Sequence, residues 1–382
     1  MSINRRDFLR AAVSAPALAL AGAGEAEAMR APKPVPPDAV GMLYDSTLCI
    51  GCKACVAACR EANDLSPVME PGQEGWNEKT WDSPLDLSAK TFNIIKTYQH
   101  GTMAAKDREQ NGFAFMKRHC LHCADPSCVS ACPVSAMRKD PKTGIVSYDA
   151  NACIGCRYCV YSCPFGIPRF DYSSPTGKIG KCEFCRHLQA DGKTPACCHV
   201  CPTGASLFGL VVDLKAEAQR RLALKAGDAY DFPRGNLSGG RSFGKGKGLG
   251  DGQRQDHREG GPDAGDAPKQ RRLRERAHLD ESALDGGHKP HQSPHPGRIA
   301  PYQPHLYGDK ELGGTQVMYL SGVPFEKLEL PTKVPEQGYA ALSEGIQHTL
   351  YKGMIAPILF LGGLAALAFR NTRKHGDEEG ER

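Results

Sequence analysis

The sequence predicts an α+β fold in which tandem cysteine-bearing modules with long loops are followed by one C-terminal transmembrane helix. All 17 cysteines fall into four groups between Cys49 and Cys201. Short segments of strand-like and helix-like pattern separate the groups, and the 42 glycines and 28 prolines indicate many turns and loops. Near the C-terminus, Gly353 to Phe369 gives 17 uncharged residues in succession.

The third cysteine group defines the predicted modules. It reads Cys153-Ile-Gly-Cys156-Arg-Tyr-Cys159-Val-Tyr-Ser-Cys163-Pro, which is the C-x2-C-x2-C-x3-C-P spacing of bacterial ferredoxins. In that spacing three thiolates hold one [4Fe-4S] cube and the fourth reaches a neighbouring cube. The step from Cys159 to Cys163 is about one helical turn, so the two thiols can face different metal centres. We therefore expect tandem bacterial-ferredoxin-like cluster modules.

Three further groups vary the same pattern. The first repeats the Cys-Ile-Gly-Cys of the third, which indicates duplicated modules. In the fourth group two adjacent thiols compete for one ligand position, and Cys197 rather than Cys198 keeps the four-residue step to Cys201. The predicted ligands in these groups are Cys49, Cys52, Cys55 and Cys59, then Cys120, Cys123, Cys128 and Cys132, then Cys182, Cys185, Cys197 and Cys201.

Iron-sulfur ligation explains these spacings better than zinc or disulfides do. Zinc sites typically use two separated C-x2-C pairs, whereas two of the groups here place three cysteines at successive x2 steps. Disulfides are disfavoured because neighbouring cysteines within a group are too close in sequence to pair well, and the total is odd. Sixteen ligands predict four [4Fe-4S] clusters, which suit one-electron transfer.

Nothing else in the sequence predicts catalysis or nucleic-acid binding. There is no Gly-rich nucleotide loop, no nucleophile-and-base signature and no ligand set for nickel or molybdenum. The formal charge of +5 is too small to indicate a nucleic-acid partner. We therefore expect a non-catalytic electron carrier. Basic residues beside the cysteine groups can offset cluster charge or be ordinary solvated charges, namely Lys53, Arg60, Lys117, Arg118, Arg157, Lys181 and Arg186.

The N-terminus has the form of a twin-arginine signal peptide over residues 1–28. Arg5 and Arg6 precede an Ala- and Leu-rich run, and a small-residue cleavage site ends at Ala28. This export route is associated with proteins that fold and receive cofactors before crossing the membrane. It suits clusters assembled in a reducing cytoplasm.

Composition divides the rest of the chain. Residues 41–232 form the predicted four-cluster ferredoxin domain, and residues 233–300 form a low-complexity insertion whose composition predicts disorder. Residues 301–350 are expected to return and pack on the ferredoxin domain. The predicted transmembrane helix covers residues 351–371, and positive charge at Arg373 and Lys374 predicts a cytoplasmic tail over residues 372–382. The expected location is therefore the periplasmic face of the inner membrane, with a single-pass anchor.

Several segments outside the cysteine groups resemble a known family. They include Gly41-Met-Leu-Tyr-Asp-Ser-Thr-Leu48, Lys139-Asp-Pro-Lys-Thr-Gly-Ile-Val146 and Gln347-His-Thr-Leu-Tyr-Lys-Gly-Met354. Together with the cysteine groups and both terminal signals, they resemble the periplasmic four-cluster ferredoxin subunit of hydrogenase-2 type membrane-bound nickel-iron hydrogenases. The resemblance covers nearly the whole chain except residues 233–300.

This resemblance implies a nested ligand pairing, in which the outer two cysteine groups share two clusters and the inner two groups share the others. The implied ligands are Cys49, Cys52, Cys55 and Cys201 for cluster 1, Cys59, Cys182, Cys185 and Cys197 for cluster 2, Cys120, Cys123, Cys128 and Cys163 for cluster 3, and Cys132, Cys153, Cys156 and Cys159 for cluster 4.

The resemblance also implies partners. These are the large and small subunits of a nickel-iron hydrogenase and an integral membrane subunit that interacts with quinone. A rival carrier is the beta subunit of a molybdenum oxidoreductase of the formate dehydrogenase or dimethyl sulfoxide reductase type. A rival from another class is a zinc-stapled interaction protein tethered to the membrane, which metal analysis distinguishes.

Overall fold

The computed structural model describes residues 30–31, 33–65, 84–174, 176–225, 228, 230–238, 302–345, 361–366 and 369. The chain divides into two compact units. One unit runs Pro34–Glu336, and the other joins Met1–Lys33 to Gln337–Arg382. All 17 cysteines lie in the first unit.

A four-stranded sheet organises the first unit. Strand β1 (Val40–Asp45) pairs antiparallel with the distant strand β9 (Ser206–Leu210). On its other edge β1 pairs parallel with the late strand β11 (Val317–Leu320). Segments from both ends of the unit therefore meet at β1. The strand order is β10 (Gly235–Asn236), β9 (Ser206–Leu210), β1 (Val40–Asp45) and β11 (Val317–Leu320).

Alternate side chains of β1 enter two different hydrophobic clusters, because successive residues of a strand point to opposite faces. Leu43 packs in a cluster with Leu214 of helix α6 (Val211–Leu222). Met42 and Tyr44 belong to a larger cluster that also contains buried cysteines such as Cys55. One face of the sheet is thus covered by α6 and the other by the cysteine groups.

Smaller sheets and short helices fill the segments between the cysteine groups. A three-stranded sheet has the order β2-β4-β3, and two hairpins pair β5 with β6 and β7 with β8. The strands are β2 (Ile94–Gln99), β3 (Ala105–Lys106), β4 (Gly112–Arg118), β5 (Met137–Lys139), β6 (Val146–Tyr148), β7 (Arg169–Phe170) and β8 (Ile179–Gly180). The helices are α1 (Ala54–Ala62), α2 (Ser127–Ser130), α3 (Tyr158–Tyr161), α4 (Arg186–Ala190) and α5 (Ala196–His199), with 3-10 turns at Glu311–Gly313 and Phe325–Leu328. This content confirms the predicted mixture of helices and strands.

Gln316 ties the late segment to the early part of the first unit. Its Nε2 donates to the carbonyl oxygen of Thr143 at 2.9 Å and to that of Val40 at 2.5 Å. Lys139 Nζ donates to Gln316 Oε1 at 2.8 Å. One buried amide therefore joins β1, the β5–β6 hairpin and the residue that precedes β11.

The second unit contains helical residues at 339–345 and 361–366. Within it, the side chain of Arg30 forms an ion pair with Glu344. The predicted transmembrane residues 351–371 lie mostly outside the described residues, as do the predicted signal at 1–28 and nearly all of the insertion at 233–300. Among the helices in the described ranges, none has both the length and the apolarity needed to cross a membrane.

Candidate metal centres

Three of the four cysteine loops direct a backbone amide at their first sulfur. Gly51 N–H donates to Cys49 Sγ, Gly155 N–H to Cys153 Sγ and Phe184 N–H to Cys182 Sγ, each with a distance of 3.4 Å from nitrogen to sulfur. A hydrogen bond to a sulfur stabilises its negatively charged thiolate form. The three loops are therefore built alike to hold a thiolate.

The residue before the second cysteine adopts a left-handed backbone in all four groups. The φ angles are 69° at Gly51, 49° at His122, 74° at Gly155 and 52° at Phe184. Glycine adopts such angles freely, whereas other residues do so rarely, so the sequence signals this turn only in the first and third groups. The rings of His122 and Phe184 stack with centroids 3.9 Å apart, which packs the second loop against the fourth.

In every cysteine group a short helix contains the third ligand. Helix α1 carries both Cys55 and Cys59. In the other groups the third ligand lies within a helix of four residues, and the last cysteine comes two residues after the helix ends. The intervening turn lets the last cysteine of each group face a different set of thiols from the third.

Set 1 consists of Cys49, Cys52, Cys55 and Cys201, which together line one cavity. The sheet brings its two sequence ends together, because Tyr44 of β1 is the register partner of Ser206 of β9. Cys49 follows Tyr44 by five residues and Cys201 precedes Ser206 by five. The antiparallel pairing therefore places the first and fourth groups side by side.

Set 4 consists of Cys132, Cys153, Cys156 and Cys159, which line a second cavity. The β5–β6 hairpin repeats the geometry of set 1, since Met137 pairs with Tyr148. Cys132 precedes Met137 by five residues and Cys153 follows Tyr148 by five. Burial, followed by the neighbouring thiols of the set, raises the pKa of Cys159 to about 11.

Set 2 consists of Cys59, Cys182, Cys185 and Cys197. Burial raises the pKa of Cys182 well above its ordinary value, and the nearby thiols of Cys59, Cys197 and Cys185 raise it further. The same two effects raise the pKa of Cys59. These four side chains are thus close enough to one another to bind a single charged group together.

Set 3 consists of Cys120, Cys123, Cys128 and Cys163. Burial raises the pKa of Cys123 well above its ordinary value, and the thiols of Cys163, Cys128 and Cys120 add to this effect. Burial likewise raises the pKa of Cys163 to about 11, with Cys120 contributing. The second and third groups therefore converge here.

The four sets form a linear series. The thiol of Cys197 in set 2 contributes to the raised pKa of Cys55 in set 1. Cys120 of set 3 does the same for Cys182 of set 2, and Cys159 of set 4 for Cys128 of set 3. The order through space is therefore set 1, set 2, set 3 and set 4.

The donor chemistry of these sets fits iron-sulfur clusters. Soft thiolates favour such clusters, and thiols whose pKa values are raised by burial and crowding need bound metal to remain ionised. Buried donors without a partner among the described side chains also lie near the sets. The Nδ1 atom of His122 accepts a hydrogen bond from the Val146 N–H, so the proton of the neutral ring lies on Nε2. This Nε2–H group is one of the donors without a partner, and the Tyr319 hydroxyl is another. Within the described ranges, no three His, Cys, Asp or Glu side chains form a group that could hold a single metal ion.

Comparison with known families defines the class of protein. Models of the 4Fe-4S dicluster domain match residues 48–136 and residues 112–211. These two ranges together contain all four cysteine groups. The chain is therefore an iron-sulfur protein with tandem ferredoxin-like domains that bind 4Fe-4S clusters, as the cysteine spacing predicts.

Individual relatives define the family. The chain is 41% identical to the hydrogenase-2 operon protein HybA of Escherichia coli O157:H7 and to that of Shigella flexneri, in each case over 383 residues and 99% of both chains. The chain belongs to the HybA family. It is also 36% identical to the formate dehydrogenase-O iron-sulfur subunit of Escherichia coli K12, over 192 residues, 50% of this chain and 60% of that protein. The role of this chain is electron transfer without catalysis of its own, which confirms the prediction of a non-catalytic electron carrier.

Proposed function

We propose that this chain carries four [4Fe-4S] clusters, one at each cysteine set, and relays single electrons along them. The observation that carries the proposal is the linear series of four thiol sets. A series of closely spaced centres lets one electron pass from end to end of the unit. The sixteen ligands are the members of sets 1 to 4, and Cys198 is not among them.

The two ends of the series are accessible from solvent. Ile50 lines the cavity of set 1 and is 56% exposed, and Ile154 lines the cavity of set 4 and is 66% exposed. Each terminal set therefore lies near the surface of the unit, where a partner protein can approach it. A carrier with two accessible ends transfers electrons between them.

The proposed partners are the large and small subunits of a periplasmic nickel-iron hydrogenase at one end and an integral membrane, quinone-interacting subunit at the other. The near-complete alignment with a hydrogenase-2 operon protein supports this assignment. We also propose twin-arginine export, a C-terminal membrane anchor and a location at the periplasmic face of the inner membrane. The sequence signals at residues 1–28 and 351–374 support these three points.

A molybdenum oxidoreductase is the alternative assembly. The similarity to formate dehydrogenase iron-sulfur subunits supports it, but that similarity covers only half of this chain. Purification of the intact complex in mild detergent distinguishes the two assemblies. We expect nickel in the complex and no molybdenum, whereas stoichiometric molybdenum would replace the hydrogenase assignment by the alternative.

Metal and sulfide analysis of the purified chain tests the cluster assignment. Four clusters predict about sixteen iron atoms and about sixteen acid-labile sulfides per chain, with broad visible absorption that dithionite bleaches. Abundant zinc without such absorption would contradict the relay and favour a zinc-stapled interaction protein.

A further inference from the structure

Lys117 is a fully buried lysine near the end of β4, with 0% of its surface exposed. Side chains of a strand alternate between its two faces, so Phe115 and Lys117 share a face. The ring of Phe115 lies against the first cysteine loop, since a Cβ atom added at Gly51 would come within 2.5 Å of it. Lys117 is therefore directed toward the cysteine groups from the same strand.

The polar surroundings of Lys117 are one hydroxyl and several thiols. Its Nζ donates to Ser206 Oγ at 3.0 Å. In the part of the chain that the structure describes, Lys117 forms no ion pair with a carboxylate. Ser206 lines the cavity of set 1 together with Cys55, which places the Lys117 ammonium at that set. The thiols of Cys197 and Cys55 also lie close enough to stabilise its positive charge. Cys55 belongs to set 1 and Cys197 to set 2, so Lys117 lies at the junction of these two sets.

A second buried cation in the same unit shows what is unusual about this arrangement. Arg221 is also 0% exposed, and it pairs with Asp45 at 2.9 Å and with Glu217 at 2.8 Å. An ion buried without an opposite charge carries a large desolvation penalty, so interior cations require anions beside them. For Lys117 those anions are cluster ligands instead of carboxylates.

We propose that Lys117 is a shared counter-charge for the clusters at sets 1 and 2 and that it raises the reduction potentials of both. This inference rests on the proposed four-cluster relay. Reduction adds one electron, and therefore one negative charge, to a cluster. A fixed positive charge in a medium of low dielectric constant stabilises the reduced form more than the oxidised form. The electron passes from one cluster to its neighbour, and no proton needs to move because the compensating charge is already present.

The experiment is a potentiometric titration of the full-length chain, followed by electron paramagnetic resonance, with iron and sulfide analysis of every sample. Lys117→Met and Lys117→Gln remove the charge, and the glutamine can still donate to Ser206. Lys117→Arg retains the charge. Lys96→Met is the matched control, because Lys96 lies on the adjacent strand β2 and its Nζ donates to the Leu85 carbonyl at the surface.

We expect both neutral variants to keep their iron and to lower the potentials of two of the four clusters. A tenfold loss in the equilibrium constant for reduction corresponds to about 59 mV for one electron. In the neutral variants the other two clusters should keep potentials near those of the wild type. In Lys117→Arg and Lys96→Met all four clusters should do so. Loss of iron from both neutral variants but not from Lys117→Arg would also support the charge requirement.

Three results would overturn the proposal. These are unchanged potentials in a fully loaded neutral variant, an equal shift of all four clusters, and loss of iron from the arginine variant as well. The last result would show that lysine is needed for its shape instead of its charge. Failure of the relay itself is recognised separately, because wild-type protein would then lack about sixteen irons and have no titratable cluster signals.

Discussion

Cys197 and Cys198 are adjacent in α5 and both are buried, yet their surroundings give the two thiols different chemistry. A hydrogen bond from Cys198 lowers the pKa of Cys197, and Lys117 contributes to the same shift. Burial raises the pKa of Cys198 well above its ordinary value. Cys197 lies beside Cys59, Cys182 and Cys185 of set 2, so it is the expected ligand and Cys198 its neighbour.

Substitution of these two thiols separates ligand from neighbour. Cys198→Val should leave iron content within about one atom of the wild type, because valine fills a similar volume and set 2 keeps all four sulfurs. Cys197→Val should lose roughly four irons, the content of one [4Fe-4S] cluster. Iron and sulfide analysis after anaerobic purification measures both. If Cys198→Val lost a cluster while Cys197→Val kept all four, Cys198 would be the ligand and Cys197 its neighbour.

A buried charge network holds the strand that leads into the first cysteine loop. Arg221 of α6 bonds Asp45 at the end of β1 and Glu217 one turn earlier in the helix. Tyr302 donates its hydroxyl proton to Asp45 Oδ2 at 2.8 Å. The network thus joins α6, β1 and the late segment of the unit at a point four residues before Cys49.

Removal of Arg221 should destabilise the unit strongly. Arg221→Ala leaves the buried carboxylate of Asp45 without its cation and that of Glu217 with only the half-exposed Arg220, which costs about 3 to 5 kcal/mol. The apparent melting temperature should fall by roughly 10 °C, measured by circular dichroism under anaerobic conditions. Arg220→Ala is the control, since Arg220 also pairs with Glu217 but its side chain is 54% exposed, and its loss should cost less than about 1 kcal/mol. Similar losses in both variants would show that burial of the pair is not the cause.

At the scale of elements, the cysteine loops were only partly predictable. The sequence indicates the sharp turns at Gly51 and Gly155, because glycine is the residue that adopts positive φ easily. It does not indicate the equivalent turns at His122 and Phe184. Those two residues are held in the left-handed region by their mutual stacking, which brings together residues that are distant in sequence.

The two glycine turns have the same backbone angle but different surroundings, and this difference can be tested. Alanine at either site should cost about 1 to 2 kcal/mol for its left-handed backbone. Gly51→Ala should cost about 1 to 3 kcal/mol more, because its Cβ would lie 2.5 Å from the Phe115 ring, whereas the nearest atom to a Cβ at Gly155 is 3.6 Å away in Phe170.

Thermal melts of the two variants measure this difference, and iron analysis shows whether set 1 alone is affected. We expect a lower melting temperature and weaker retention of one cluster in Gly51→Ala than in Gly155→Ala. Equal behaviour of the two variants would show that Phe115 moves aside without energetic consequence, which contradicts its packing in the core.

At the scale of the whole molecule, the spacing of the cysteines predicts that groups exchange ligands but not which groups do so. The nested pairing was implied by family resemblance, and it remains a proposal that the geometry of the sets supports. Its physical basis is long-range strand pairing. β1 and β9 bring Cys49 beside Cys201 across more than 150 residues, and such a contact leaves no local signal in the sequence.

The same kind of long-range pairing positions the late segment, because β11 pairs with β1, a partner that the local sequence does not indicate. β11 is only four residues long and all of them are buried, so it lacks the alternation that identifies a surface strand. Its partner β1 is buried along its whole length as well. β11 therefore completes the sheet of the cluster-bearing unit, whereas the residues from Gln337 onward belong to the other compact unit.

This division leads to a prediction about truncation. All cysteines lie in the unit Pro34–Glu336, so removal of residues 353–382 should leave the iron and sulfide content unchanged. If the proposed membrane anchor is correct, the same truncation should lower the membrane-bound fraction by about tenfold or more, because burial of an apolar span in the bilayer is worth far more than the about 1.4 kcal/mol that a tenfold change represents. Hydrogen-dependent quinone reduction by the complex should fall with it.

Removal of residues 372–382 alone is the matched control for this truncation, since it keeps the apolar run from Gly353 to Phe369. That variant should remain membrane-bound, because the basic residues lost with the tail set the orientation of a span more than its retention in the bilayer. Cell fractionation with iron analysis of each fraction measures both effects. Full membrane binding and quinone coupling in the longer truncation would show that partner subunits alone hold the cluster-bearing unit at the membrane.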